Sequence, residues 1–522
     1  MAVRFSDPGD AHSDCLPLPR VLRAGLLVII VSGLAFRVIQ PGTTAFCEDQ
    51  VHACALAEDI ASGRLETGGL VNSGRFRNLP GFVYLLASVW SIWPDPMALL
   101  CFIGIANILA VLGSAWLMRR WAGSVAAWWG TAFLAAGPWA IQYSRWIWAQ
   151  DLLFPVALLV FLFLWRWVSC GRKWAALGVV LSLGLAVHVH LTAIMLVPAV
   201  GLWLLWCRPR LPLLPMLVGL LIVAATVAPY LRDGHLKSPH GQRFGYRHFW
   251  RVVPGAVMSV TGLGWQLEFK KGYPAFARSL EWRHRPYQVA MLFGAALLGY
   301  GTVLGVQRLW RERLAVTRNR RTPLSMVGAL VILIPLSFSL MGIRTSPTYL
   351  PVWYPLPFVL MGLAAARLTR GVAGRRALWS GLLCIVLVAE LTFFAEQLRY
   401  IGSHEGVPGS ELGRSYAGAK ADVAAVVSRV DAREIWMTYG GPGAIRRGAA
   451  VWLLRHADWG EPVSGRALIR WTWGRLGGEL QEVVETLPDG AEPPPDAFRI
   501  RPWEGPQQRG GYICDVPPHY AR

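Results

Sequence analysis

The feature that most constrains this chain is a succession of apolar runs, each close to the length that crosses a bilayer, separated by short clusters of arginine. They lie at 21–39, 97–118, 121–138, 151–168, 174–189, 191–206, 212–230, 287–309, 323–343, 349–367 and 377–396. A hydrocarbon core about 30 Å thick needs roughly 20 apolar residues in helical form. The chain therefore reads as an all-α polytopic membrane protein with about 11 transmembrane helices. With 54% hydrophobic and only 16% charged residues over 522 positions, it is a poor fit to a water-soluble globule. The first run follows Arg20 and Arg23 and lacks a small-residue cleavage site, so it reads as an uncleaved helix.

Charge sets the expected orientation. The formal net charge is +20, but the basic residues sit between apolar runs, which points to the positive-inside rule and not to nucleic acid. The segment LPGFVYLLASVWSIW at 79–93 opens on Leu-Pro-Gly and is closed by Pro94 and Pro96, the marks of a helix lying along the membrane surface. If it does not cross and the N-terminus is cytoplasmic, the clusters around Arg119, Arg172, Arg208, 311–321 and 367–376 all fall inside. The count is then roughly twenty basic residues inside against about five in the short outer loops, and a crossing at 79–93 would reverse it.

The organisation that follows is a cytoplasmic N-terminus at 1–20, a transmembrane domain at 21–396 and an extracytoplasmic tail at 397–522, in the cytoplasmic (inner) membrane. The external loop 40–96 carries outer-face amphipathic helices. The external loop 231–286, rich in Arg, Lys, His and Trp, reads as a solvated basic segment against lipid headgroups. In the tail, the helical pattern KADVAAVVSRV precedes a strand-like EIWMTY, the order of a small C-terminal α/β domain.

Four outer turns carry residues able to do chemistry. In FCEDQVHACALAEDIASGRL (46–65), Val51, Ala55, Leu56 and Ile60 recur at helical spacing, so Glu48 and Asp49 stand at the start of a surface helix. The helix dipole favours acids there, and a capping role for Asp49 accounts for it as well as a catalytic one. The second turn, GPWAIQYSRWIWAQDLL, holds Arg145 and Asp151 among aromatics that read as an interfacial belt. The third, AVHVHLTAIM, holds His188 and His190, and the fourth, MGIRTSPTYLPVWYPLP, holds Arg344 and Tyr349. Cations so placed can hold a phosphate while a carboxylate does acid–base work. The eight cysteines form no CxxC pair and no zinc spacing.

In this order the segments resemble the GT-C superfamily of membrane glycosyltransferases, in particular bacterial relatives of protein O-mannosyltransferases and of aminoarabinose lipid A transferases. Asp49 and Gly63 match the family's fourteen-residue spacing from acid to glycine, although Glu48-Asp49 inverts the usual Asp-Glu order. Leu79-Pro80-Gly81 is a partial match to a Pro-Pro opening, and His190-Leu191-Thr192 to a His-x-Thr. TSPTYLPVWYPLP resembles a late Arg-x-Tyr turn, with Arg344 in place of an arginine nearer the tyrosine.

The resemblance implies an inverting transfer of a hexosyl or pentosyl group from a polyprenyl-phosphate donor to a hydroxyl on a lipid, glycan or protein acceptor. It implies Asp49 as general base, with Glu48 beside it. Arg145, His190 and Arg344 would bind the donor phosphate, with His188 and Tyr349 alongside. Glu48 or Asp151 would orient the acceptor or hold a divalent metal ion, and metal dependence stays open. The alternative is a transporter or flippase for a lipid-linked or amphipathic substrate. That would place ionisable groups at mid-span, where Glu390 is the main example.

Overall fold

A computed structural model describes residues 18–71, 77–235, 252–265, 272–314, 323–340, 347–407 and 413–428, together with Leu453 and five strands further on. Two compact units divide the chain. The first comprises Met1–Pro41, Leu56–Gly264 and Trp282–Ala395; the second comprises Gly42–Ala55, Trp265–Glu281 and Glu396–Arg522.

The helices in chain order are α1 (Arg20–Ala35), α2 (Glu48–Ala61), α3 (Gly81–Trp90), α4 (Pro96–Ala122), α5 (Ser124–Ala136), α6 (Pro138–Gln142), α7 (Leu153–Val168), α8 (Ala175–Val189) and α9 (Leu196–Cys207). They continue as α10 (Leu213–Arg232), α11 (Val252–Thr261), α12 (Tyr273–Ser279), α13 (His284–Leu314), α14 (Pro323–Leu340), α15 (Leu356–Leu368), α16 (Ala373–Ser403) and α17 (Tyr416–Val427). Among the described residues, six helical stretches are long and apolar enough to cross a membrane: α4, Ala149–Val168, α10, Glu281–Glu312, α14 and α16. The protein is a multi-pass membrane protein. Helix α3 has ten residues, about 15 Å at 1.5 Å per residue, half of a hydrocarbon core.

Helix α5 is central to the first unit, packed against α1, α4 and α15. Glycine makes its crossing with α15 possible. A Cβ at Gly362 of α15 would lie 2.3 Å from the Ala126 carbonyl oxygen, and one at Gly130 of α5 would lie 2.6 Å from that of Phe358. Backbones meet where side chains are missing, as small residues allow between apolar helices that gain nothing from burial against lipid.

Three expectations change in this unit. The apolar run 349–367 is not one helix: Pro347–Trp353 is a 3-10 turn and α15 begins only at Leu356. Pro351 and Pro355 each remove a backbone donor, and the Tyr354–Pro355 bond is cis. The aromatics after Gly137 are not an exposed belt, because Trp139, Tyr143 and Trp146 are buried and Trp139 stacks on Tyr143 at 5.3 Å. Within the 231–286 loop, Val252, Ala256, Ser259 and Val260 of α11 are buried, and α11 packs on the 347–353 turn and on α13. The basic residues around it dominated the sequence reading, whereas VVPGAVMSVT supplies an apolar face.

In the second unit, β1 (Gly406–Val407) pairs antiparallel with β2 (Gly413–Arg414). A five-stranded sheet follows, in the order β5-β4-β3-β6-β7. Its strands are β3 (Glu434–Gly440), β4 (Arg466–Trp473), β5 (Leu480–Leu487), β6 (Phe498–Pro502) and β7 (Tyr512–Cys514). β3 and β4 run parallel with Glu434 opposite Arg466, and the remaining pairings are antiparallel.

Candidate active site

The acidic pair stands where helical spacing placed it, on the first turn of α2. Asp49 is exposed. Next to it, Gln50 Oε1 accepts the Cys47 backbone N–H at 3.0 Å and the Cys47 thiol at 2.8 Å. A third-position Gln reaching back to the residue before the helix is the reciprocal half of a capping box. At the other end Gly63 has φ +95°, Arg64 N–H bonds the Asp59 carbonyl and Gly63 N–H bonds that of Ile60. That pair of bonds is a Schellman stop, which needs a residue with left-handed backbone. The fourteen-residue spacing from Asp49 to Gly63 is thus the span of one helix, itself 14 residues long, with both ends fixed.

In the second turn, Asp151 is fully buried and its Oδ2 accepts the Trp146 N–H at 2.9 Å, while Oδ1 has no hydrogen-bond partner. Asn107 of α4 donates to the Asp151 carbonyl at 2.8 Å. Arg145 points the other way. Its guanidinium donates to the carbonyls of Phe36, of Ile39 at 2.7 Å and of Gln40 at 2.9 Å, and lies 6.0 Å from the Phe394 ring centre. Burial brings its pKa down to about 10, so it stays cationic at neutral pH. With Arg37, Val38, Pro41, Leu100 and Cys101 it lines a cleft of about 210 Å³, open mouth included.

The third and fourth turns meet. The His190 and Tyr349 rings lie 5.7 Å apart, and the 149–152 turn carrying Asp151 packs on the 347–353 turn carrying Tyr349. His190 is buried and caps the 3-10 turn Leu191–Met195, its Nδ1 accepting the Thr192 N–H at 3.2 Å. The same Nδ1 lies 2.7 Å from the Thr192 hydroxyl. Burial lowers the His190 pKa to about 4, so the imidazole is neutral near pH 7. His188 turns to α10, its Nε2 3.0 Å from the Thr226 hydroxyl. Arg344 lies outside the described residues, as does the Glu48 side chain.

Sequence reasoning missed Asn78. Buried ahead of α3, it accepts the Leu191 N–H at 3.3 Å and donates to the Leu70 carbonyl at 3.1 Å, tying Leu70 to the His190 turn. Gly81 completes the join, since a Cβ there would lie 2.7 Å from the Cβ of His188. The one available signal was Asn78 standing directly before Leu-Pro-Gly. Among the described residues, no three His, Cys, Asp or Glu side chains gather as metal ligands.

The arrangement is that of a polytopic membrane protein with polar groups on the turns between helices. No family model and no curated protein matches the sequence. Among solved structures, ArnT from Cupriavidus metallidurans bound to undecaprenyl phosphate aligns with a TM-score of 0.51 at 14% identity, covering 85% of this chain and 92% of that one. The apo state of the same protein aligns with a TM-score of 0.50 at 15% identity, over 84% and 85%. The likeness is one of fold.

Proposed function

We propose that this protein is an integral-membrane glycosyltransferase that moves a sugar from a polyprenyl-phosphate donor to an acceptor hydroxyl on the outer face of the inner membrane. The observation that carries this reading is the fold shared with ArnT over 92% of that chain, in a structure that holds undecaprenyl phosphate. The N-terminus would be cytoplasmic and the tail extracytoplasmic. The acceptor class would be a lipid, a glycan or a protein.

In this reading Asp49 takes the proton of the acceptor hydroxyl. The freed oxygen attacks the anomeric carbon from the face opposite the phosphate. The bond from that carbon to the phosphate oxygen breaks, its electron pair leaves with the polyprenyl phosphate, and the anomeric configuration inverts. Donors aimed at the departing oxygens stabilise the charge that develops there. His190 supplies a neutral imidazole for this, beside Tyr349, with Arg344 as the cation. Arg145 gives its N–H groups to backbone carbonyls and contributes a fixed positive charge and a rigid turn. Glu48 would orient the acceptor, while the buried Asp151 holds the Trp146 turn. A transporter is favoured only by Glu390, which is buried in α16 with Oε1 unpartnered.

The test is to incubate purified protein with a panel of polyprenyl-phosphate sugars and to measure release of the lipid phosphate. Asp49→Asn keeps size and removes the base, so release should stop while the protein stays folded. Near-normal transfer by that variant would overturn the assignment.

A further inference from the structure

We propose that Tyr416, at the start of the tail helix α17, is the positioning residue for Asp49. This rests on the reading of Asp49 as the base. Both lie in the second unit. The residues just before α2 pair with the residues that open α17: Ala45 and Ser415 form an antiparallel bridge, and Tyr416 N–H donates to the Thr44 carbonyl at 2.8 Å. On this backbone join sits an aromatic one. The Phe46 and Tyr416 rings meet edge to face at 5.0 Å and 74°, and both are buried. Gly42 closes the other side, where an added Cβ would lie 3.2 Å from that of Ala417.

The partner segment is itself held. Ser415 N–H donates to the Glu405 carbonyl at 2.8 Å, and the Ser415 hydroxyl accepts the Gly418 N–H at 3.1 Å, capping α17. From Phe46 the chain passes through the Cys47–Gln50 capping box, and two residues after Cys47 it reaches Asp49. Thr44, Ala45, Phe46, Gln50, Ser415 and Tyr416 are buried and Cys47 is half-buried, while Asp49 itself is exposed. The Tyr416 ring therefore sets where the first turn of α2 begins and how it is aimed. A carboxylate that must meet a hydroxyl within hydrogen-bond reach is sensitive to shifts of an ångström, which cost about 100-fold in rate.

The experiment measures transfer by the purified full chain with a polyprenyl-phosphate sugar, comparing Tyr416→Ala, Tyr416→Phe, Phe46→Leu and Asp49→Glu. Tyr416→Ala should lower kcat about 100-fold with the donor KM within about twofold, and Tyr416→Phe should restore most of the rate. If Tyr416→Ala fails to fold, Phe46→Leu reads the same contact while keeping an apolar side chain buried. Asp49→Glu moves the carboxylate by one methylene, and combining it with Tyr416→Ala or Phe46→Leu should give a loss well short of the product of the two. Losses that multiply, a change confined to KM, or full rate in both Tyr416→Ala and Phe46→Leu would overturn the role. Full rate in Asp49→Asn would instead overturn the base assignment. Tyr416→Ala active beside a dead Asp49→Asn would overturn the positioning role alone.

Discussion

Arg37 and Arg145 hold the two sides of one stretch of chain: Arg37 reaches from it to the last turn of α5, and Arg145 reaches back to its carbonyls. Arg37, just past the end of α1, donates to the carbonyls of Leu134 at 3.0 Å and Ala135 at 3.1 Å, in the last turn of α5. Arg145, on the turn after α6, donates to the carbonyls of Phe36, Ile39 and Gln40, the residues that follow α1. The last carbonyls of a helix have no partner within it and carry the negative end of its dipole, so a buried guanidinium satisfies both needs.

Replacing Arg37 by Met should therefore strand buried carbonyls at the end of α5 and destabilise the protein by about 2–4 kcal/mol. Arg37→Lys should recover only part of this, because an ammonium lacks the planar fork that serves carbonyls of two successive residues. Thermal unfolding in detergent measures both; an unchanged midpoint in Arg37→Met would show that the cap contributes nothing.

His190 predicts a pH dependence of stability. Its pKa is about 4 in the folded protein against an ordinary 6.5, so between these values the unfolded chain binds a proton that the folded one refuses. The stabilisation is complete above pH 6.5 and is lost as pH falls toward 4, by roughly 3 kcal/mol. In His190→Asn the side-chain oxygen can still accept the Thr192 N–H, but the titrating group is gone. Denaturation profiles over that pH range should be flatter for the variant than for the wild type.

Gly81→Ala should cost about 1–3 kcal/mol by overpacking, since the new methyl would meet the Cβ of His188 at 2.7 Å and its carbonyl oxygen at 3.0 Å. Gly63→Ala, with open space but φ +95°, should cost only about 1 kcal/mol. Unfolding midpoints of the two variants should fall in that order.

Orientation is open to a direct check. A reporter fused after residue 95 should signal outside, and one within 311–321 should signal inside. An inside signal at 95 would mean that 79–93 crosses the membrane.

Much of the membrane architecture was legible because hydrophobic length is a local property. A run such as 97–118 announces a helix wherever it lies, and the structure makes it α4. The start of α2 was equally readable from the spacing of Val51, Ala55, Leu56 and Ile60. Its capping by Gln50, whose side chain takes the Cys47 N–H, was not, because several polar residues stand in that one turn. The 349–367 run was misread since hydropathy does not register the donors that Pro351 and Pro355 remove.

The candidate site divides along the same line. The sequence by itself determined which residues stand on turns and could act there: Asp49, Arg145, Asp151, His190 and Tyr349. The tertiary structure decided what each one meets. Arg145 went to the end of α1, His190 became a buried neutral cap beside Tyr349, and unremarked residues, Arg37, Asn78 and Tyr416, took the contacts that hold these turns. The physical reason is that hydropathy and charge are summed along the chain. A hydrogen bond or a desolvated imidazole depends on which distant turn folds against it, and no one-dimensional pattern records that.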